Sequence, residues 1–318
     1  VKFSARYGGA ALRITAVTAL AGVAATAAAS GADAAARQVS RGYGTVRAVA
    51  DGDTPYVGGK RLSDRVRLIG VQAAETSHGG RGKTWCHGGE AKKRLGALLI
   101  GKRVQLRSQS PGRDGQGNRP LRALYLPRKG GGYMDVQQVM LQEGHVLWHP
   151  DKREWQNNRL YHVLADRAAA ARARGTIWDD DWCGAGPSQG AGLSLYVHWD
   201  AQGQDEDNLN DEYVVVTNEG TAGVPLAGWR LRDGSLNTFT FPSGAYVPPG
   251  GTATLRIGSG ETTRTATGTT YHWGQRHPML ANADPANGMG DGMYLLDPQG
   301  DFRAWRTWPC VVSCTTSR

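Results

Sequence analysis

The feature that most constrains this chain is a change of character at GAGPSQGAG, 184–192, where glycine, proline and small polar residues interrupt the periodic patterns on both sides. Such a run reads as a linker, so the chain has to fold as two units. Before it, helix-like stretches alternate with short strand-like runs; after it come strand-like runs alone. Charge changes at the same place. From Ala191 onward eight Arg and no Lys stand against thirteen Asp plus Glu, 8 − 13 = −5, so with +9 overall the first 190 residues carry +14. The 318 residues leave room for two ordinary domains.

In the first unit, strand patterns fall at 44–50, 65–71, 102–107 and 121–127, separated by turns such as GRDGQGN at 112–118, and helical patterns at 89–100, 134–143 and 154–173. A small closed sheet with helices packed around it fits this order. The second unit has strand patterns at 193–199, 212–218, 229–233, 237–241, 253–259 and 292–297, spaced by turns such as PPGG at 248–251. That series predicts an antiparallel β-sandwich. Residues 1–36 combine a basic lead, an alanine-rich apolar run and small residues near Ala32-Asp33-Ala34. They read as a secretory signal and short leader; the rival reading is a membrane anchor, for which the run is short and only mildly hydrophobic. No later segment has the length and hydropathy to span a bilayer, and export makes disulfides possible.

Chemistry concentrates between Ala50 and Arg119. In ADGDTPYV, 50–57, Gly52 allows a tight turn that presents Asp51 and Asp53 side by side. In RVRLIGVQAAET, 65–76, Arg67 leaves a strand on the face opposite Val66 and Leu68, and Glu75 follows just beyond the strand end. Two arginines, Arg67 and Arg119, flanking acidic residues suit a phosphate gripped by paired hydrogen bonds. On a strongly basic segment, they point to a polyanionic partner.

Five segments, DGDT at 51–54, VRLIGV at 66–71, EAKKRLGALLIGKRVQL at 90–106, NRPLRALYL at 118–126 and LQEGH at 141–145, resemble the staphylococcal nuclease family in order and spacing. The resemblance runs from about Tyr43 to Trp178 and implies a five-stranded OB-type barrel with packed helices over 37–183. It implies a calcium-dependent nuclease acting on DNA and RNA and leaving 3′-phosphates. Position by position, it makes Asp53 a metal ligand, Asp51 the second aspartate of the same turn, Ala73 a carbonyl ligand, Arg67 and Arg119 the phosphate-binding arginines and Glu75 the residue that orients or deprotonates water. Trp148, followed by His149, falls where the family sets aromatic residues against the base; stacking on substrate and ordinary packing are both open there. One position departs: Gln72 stands where the family has a second metal-ligating aspartate. A neutral oxygen in its place predicts weaker cation binding.

In the second unit NDEYVVVTNEG at 210–220, LAGWRLRD at 226–233, YVPPGG at 246–251, YHWG at 271–274 and DGMYLLDPQG at 291–300 resemble the lamin-tail domain. The resemblance implies an immunoglobulin-like β-sandwich over 193–318 serving as a binding or targeting module, whose own partner the sequence does not name. The whole is expected to be a secreted, mainly β, two-domain monomer. The runner-up is a nucleic-acid-binding barrel that has lost catalysis, which Gln72 favours and the retention of Glu75 beside the arginines opposes.

Four cysteines, Cys86, Cys183, Cys310 and Cys314, allow three pairings. Pairing within units, Cys86 with Cys183 and Cys310 with Cys314, is preferred; a zinc site from CVVSC at 310–314 has too few ligands nearby. His78 and His87 read as loop histidines before metal ligands, and Trp178 and Trp182 as core or lid residues. DEDNLNDE at 205–212 reads as a solvated acidic turn, with a calcium loop as the alternative.

Overall fold

The computed structural model describes residues 37–77, 84–115, 117–180, 183, 190–312 and 315–316. The leader, His78, Trp182, Cys314 and most of the linker-like run therefore lie outside the described residues. The first domain contains strands β1 (Val39–Val49), β2 (Pro55–Val57), β3 (Arg67–Leu68), β4 (Val71–Ala73), β5 (Arg103–Ser108), β6 (Leu121–Pro127), β7 (Tyr133–Asp135) and β8 (Val146–Trp148). Its helices are α1 (Gly88–Leu99), α2 (Val136–Gln142) and α3 (Asn158–Ala171).

The main sheet runs β2-β1-β5-β6-β3, with β7 paired to β6. Its edges approach each other through a single Tyr56–Arg65 bridge, and the N–H groups of Val66 and Leu68 donate to the carbonyls of Pro55 and Asp53. The sheet thus curls around its core without a continuous ladder between its edges, and it has six strands where five were expected. Val104 and Leu124 point inward from adjacent strands, and Leu106 and Leu126 pack against them. Ala91, Leu95 and Leu99 recur every fourth residue along α1, so one stripe of that helix is buried, with Leu95 and Leu99 reaching this core. Val136 and Met140 from α2 and Tyr161 and Ala165 from α3 complete it.

The single strand expected at 65–71 is broken in two. Gly70 has φ +76°, and a Cβ there would lie 2.5 Å from the Tyr161 ring, so the chain turns at this glycine to let α3 approach. β3 pairs parallel with β6, while β4 pairs antiparallel with β8. Helix α2 starts later than its periodicity predicts because 133–135 pair with β6; Asp135 then caps it, accepting from the Gln138 N–H at 3.1 Å. Helix α3 covers Asn158–Ala171 rather than the whole of 154–173, and ends at Arg172 in the left-handed region (φ 47°).

In the second domain, β9 (Leu193–His198), β10 (Tyr213–Asn218), β11 (Val224–Pro225), β12 (Arg230–Asp233), β13 (Thr238–Thr240), β14 (Tyr246–Val247) and β15 (Thr252–Arg256) are followed by β16 (Thr263–Arg264), β17 (Gly268–His272), β18 (Asp291–Leu296), β19 (Phe302–Trp308) and β20 (Thr315–Thr316). Sheets β16-β17-β15-β10-β9 and β13-β12-β18-β19-β20 face each other. Leu195, Val214, Val216 and Leu255 from one meet Leu231, Met293, Leu295 and Trp308 from the other, the alternating inner faces of a sandwich.

The two domains share a third core. Leu147, Ala168, Ile177 and Trp178 pack with Tyr294, Leu296, Phe302 and Trp305, and the Trp178 ring centroid lies 4.9 Å from that of Trp305. Around it, the Thr307 hydroxyl donates to Asp166 Oδ1 at 3.0 Å and Arg230 stacks 3.8 Å over Trp85. The Cys86–Cys183 disulfide, within the first domain, sits against Asp301 of the second, whose Oδ1 accepts the Cys183 N–H at 2.9 Å. Among the described residues, no helix is long and apolar enough to cross a membrane.

Candidate functional site

The acidic turn is placed by close approach. A Cβ on Gly52 would lie 2.7 Å from Ala91 Cβ in α1 and 2.8 Å from Ala73 Cβ in β4, so only glycine lets the turn lie between them. This seats Asp51 and Asp53 in the interior, each about 95% covered or more. The Asp53 Oδ2 atom accepts the Ala73 N–H at 2.7 Å and lies 2.7 Å from Arg67 Nη1; its Oδ1 accepts the Thr54 hydroxyl at 2.8 Å. Asp51 Oδ1 accepts the Asp53 N–H at 3.0 Å.

The break at Gly70 brings Arg67 and Gln72 back toward one another. Gln72 Oε1 accepts from Arg67 Nη2 at 2.5 Å, and its amide nitrogen donates to the Ala73 carbonyl at 3.0 Å and to Glu75 Oε1 at 3.2 Å. Arg119 comes from the start of β6, beside the strand that carries Arg67. Its Nε and Nη2 hold Asp114 Oδ2 at 2.7 and 2.5 Å, while Nη1 donates to the Thr54 hydroxyl at 3.0 Å. Six of the sequence-derived residues, Asp51, Asp53, Arg67, Gln72, Ala73 and Glu75, thus form one continuous network, and Arg119 joins it through Thr54.

Electrostatics in the network favour a cation. Burial, then Asp53 beside it, pushes the Asp51 carboxyl up to about 8. Glu75 is likewise raised, by burial first and by Asp53 second, with Arg67 working against the shift. Carboxylates that resist joint ionisation gain from a positive charge among them. The donors are all oxygen, two aspartates, a glutamate and the Ala73 carbonyl, which is the chemistry of a hard cation such as calcium. Gln72 can add its oxygen only by turning its amide, which gives up the bond from Arg67. Among the described residues, the ligand atoms that already converge within 4.8 Å lie elsewhere, at Cys86, His87, Cys183 and Asp301, and two of those four are joined in the disulfide.

A cavity of about 170 Å³ opens beside Arg67 and Gln72, lined also by Leu121, His149, Arg153 and Ser235. Trp148 does not reach it. That side chain is wholly buried and stacks on His162 at 3.8 Å, so the expected substrate contact at Trp148 is corrected to a core role, with His149 the residue on the cavity wall. Burial, then Arg67, holds His149 down to about 4, which keeps its ring neutral. His87 lies in the turn just before α1, with φ 58°, and is partly covered; its Nε2 lies 3.3 Å from Asp179 Oδ1. Trp178 is a core residue of the shared cluster. In the acidic stretch, Asp205 and Asp211 accept backbone N–H groups from Ala201 and Gln202, and among the described residues it forms no convergent ligand group.

Sequence reasoning passed over Asp114, Thr54 and two residues of the second domain. Ser235 lines the cavity, and Arg232 is buried in β12, two residues before the turn that packs on His149. The alternation in WRLRD carried a signal: Leu231 faces the sandwich core, so Arg230 and Arg232 share the opposite face, where a purely accessory sheet has no need of two arginines.

A curled β-domain with a network of guanidinium and carboxylate groups, fused to a β-sandwich, defines a nuclease-type domain with an appended module. The staphylococcal nuclease homologue family matches residues 65–180 and the lamin tail domain family matches 193–310, so the chain carries a region matching the first family followed by one matching the second. Asp51 and Asp53 precede the matched residues and are tied to them through Ala73 and Arg67. No curated protein matches the chain significantly.

Proposed function

We propose that this protein is a secreted, calcium-dependent nuclease that hydrolyses phosphodiester bonds of DNA and RNA. The observation that carries the reading is the joining of Arg67, Glu75 and the Asp51–Asp53 turn in one network, with Arg119 reaching it through Thr54. A groove that merely binds nucleic acid needs the arginines but has no use for a carboxylate beside the phosphate. Disulfide-linked Cys86 and Cys183 agree with an extracellular setting.

Asp53, the Ala73 carbonyl, Asp51 and, once its amide has turned, Gln72 are the residues that would hold calcium. Bound there, calcium supplies a Lewis acid and a template for one phosphate oxygen. Arg67 and Arg119 grip the remaining oxygens and stabilise the charge that grows on them as water adds to phosphorus. Asp114 holds Arg119 in place and its own carboxyl stays below the usual range; burial opposes this, but the bonds from Arg119 prevail. Glu75 orients the attacking water and takes its proton on a carboxylate oxygen, a task for which its raised pKa suits it. The 5′-oxygen leaves with the electron pair of the broken P–O bond, so the products carry 3′-phosphates. Contacts are to phosphate rather than base edges, which admits both DNA and RNA.

A second reading, binding without catalysis, is favoured by the Gln72 amide nitrogen, which donates to the same oxygens of Ala73 and Glu75 that a cation would draw together. One assay separates the two: incubation of the purified protein with single-stranded DNA and with RNA in calcium, magnesium or chelator. Calcium-dependent cleavage to 3′-phosphate ends is the expected result; intact but retained substrate under every condition supports the binding reading instead.

A further inference from the structure

We propose that the outer face of strands β1, β5 and β6 is a second, non-catalytic docking site for single-stranded nucleic acid, built on a ladder of tyrosine and arginine side chains. The inference goes beyond the nuclease reading: this surface does no chemistry, and it recognises its ligand by stacking and charge.

The ladder follows from strand register. Tyr43, Gln105 and Tyr125 are paired across β1, β5 and β6, so they form one row on the face opposite Val104 and Leu124, which point into the core. Arg103 and Arg107 stand two residues to either side of Gln105 and share that face. Tyr133 joins from β7, paired with Pro127 at the end of β6. Arg103 stacks 5.0 Å over the Tyr43 ring, and Arg107 lies against two rings, 4.3 Å from that of Tyr125 and 4.7 Å from that of Tyr133. Hydrogen bonds fix the set. The Tyr43 and Tyr133 hydroxyls lie 3.1 Å apart, Gln105 Nε2 donates to the Tyr43 hydroxyl at 3.0 Å, and Arg107 Nε donates to Gln105 Oε1 at 2.7 Å. Guanidinium planes and rings thus alternate along a surface that a buried glutamine holds from beneath.

Exposure and charge say what this surface fits. Its rings are open to solvent, Tyr43 being 49% and Tyr133 37% exposed. Its positive charge is uncompensated: segments 37–49, 101–113 and 119–134 contain no Asp or Glu, while Arg41, Arg103, Arg128 and Lys129 are exposed on or beside it. Asp135, at the end of β7, is buried and already accepts from the Tyr161 hydroxyl at 2.8 Å and the Gln138 N–H at 3.1 Å. A phosphate chain is drawn to such a surface, and unpaired bases can stack on tyrosine rings or on guanidinium planes. In a duplex those base faces are covered by their neighbours, and other polyanions bring charge without a ring. The combination therefore selects a single strand. Tyr125 lies four residues along β6 from Leu121, the partner of Arg67, so about 13 Å of strand separates the ladder from the nuclease centre. A long strand can be held here by a part remote from the bond being cut.

The test is fluorescence anisotropy of the full chain with a labelled oligothymidylate, in chelator so that nothing is cleaved, beside a duplex of the same length and heparin. Wild type should bind the single strand most tightly. Tyr43→Ala and Tyr133→Ala should each weaken that binding by about 5- to 100-fold, the range for one lost base stack. Tyr43→Phe and Tyr133→Phe keep the ring and lose the hydroxyl contacts, and should stay within about twofold of wild type. Arg103→Ala should lower the slope of log affinity against log salt by about 0.7, the release expected for one phosphate contact on a single strand. If Tyr43→Ala does not fold, Tyr133→Ala and Arg103→Ala carry the same contrast. Unchanged affinity in the alanine variants, or equal wild-type affinity for single strand, duplex and heparin, overturns the inference; so does an equal loss in the Phe variants, which would assign the effect to the hydroxyl contacts. Cleavage of a dinucleotide should be the same in all these variants. Failure of the nuclease reading looks different: wild type cuts nothing, while the anisotropy contrast still decides whether the ladder binds.

Discussion

Gln72→Asp restores the carboxylate that the nuclease family carries at this position, and its consequences without and with calcium can be worked out separately. In the metal-free protein the change deletes the amide nitrogen that donates to Ala73 O at 3.0 Å and Glu75 Oε1 at 3.2 Å. It also sets a new carboxylate among Glu75, Asp53 and Arg67. At about 4 Å and an effective dielectric near 20, repulsion from Glu75 and attraction to Arg67 are each about 4 kcal/mol and largely cancel, while repulsion from Asp53 remains as a further cost. The two lost bonds, one of them to a charged acceptor, add about 2–4 kcal/mol. At about 2.1 cal/mol/K per residue over a chain of 318 residues, the lost bonds alone lower Tm by about 3–6 °C in chelator. Calcium should narrow the gap: an added anionic ligand tightens the site, and about tenfold in affinity returns about 1.4 kcal/mol. Differential scanning fluorimetry in EDTA and across a calcium titration, with half-maximal activity read in parallel, measures both halves. An identical calcium-induced rise in Tm for the two proteins, together with an unchanged calcium requirement, would show that position 72 is outside the cation's shell.

Other perturbations follow from the same structure. Glu75→Gln and Arg119→Ala should each cut turnover on single-stranded DNA by about 100-fold or more, the scale for losing one positioned catalytic group; near-wild-type rates in either refute the assigned roles. Replacing both Cys86 and Cys183 by Ser opens a loop of 97 residues, for which chain entropy alone gives a loss of about 4–5 kcal/mol; an unchanged denaturation midpoint would mean that the packing against Asp301 suffices without the bond. Asp166, at the domain interface, is raised by burial to about 7, above its unfolded value, so its contribution to stability is complete below the unfolded pKa and disappears as pH rises through about 7. Asp166→Asn, which keeps an oxygen for the Thr307 hydroxyl, should therefore raise Tm relative to wild type at pH 8, by less at pH 5 and hardly at all below about pH 4; equal effects at all three pH values would refute the assignment.

Much of this was legible in the sequence because the informative patterns are local. The α1 stripe of Ala91, Leu95 and Leu99, the alternation through β5 and β6, and the six strand patterns of the sandwich depend on residues a few positions apart, and the structure contains all of them. The short pairs β3 and β4 were not separable, because the break at Gly70 depends on Tyr161, ninety-one positions away, pressing on a glycine that the run 65–71 does not mark as special. Short edge strands such as β2, β11 and β16 escaped notice for a related reason: two or three residues carry no period. At the site, Asp51, Asp53, Arg67 and Glu75 were visible as a constellation, but the anchoring of Arg119 by Asp114 and the arrival of Ser235 on the cavity wall depend on chain segments meeting in space. Trp148 was misplaced because one-residue differences in register at the end of β8 decide which of Trp148 and His149 faces the cavity.

The aromatic seam between the domains carries one more consequence. Leu147, Ile177 and Trp178 are each at most 2% exposed, and their cover comes from a separately recognised family domain. A chain stopped at residue 183 would uncover them, and a single tryptophan presents about 150–250 Å² of apolar surface to water. The natural boundary between the two families is thus a poor place to divide this protein: heat or denaturant should melt both halves in one transition, and any event that loosens the sandwich should be felt in the first domain as well.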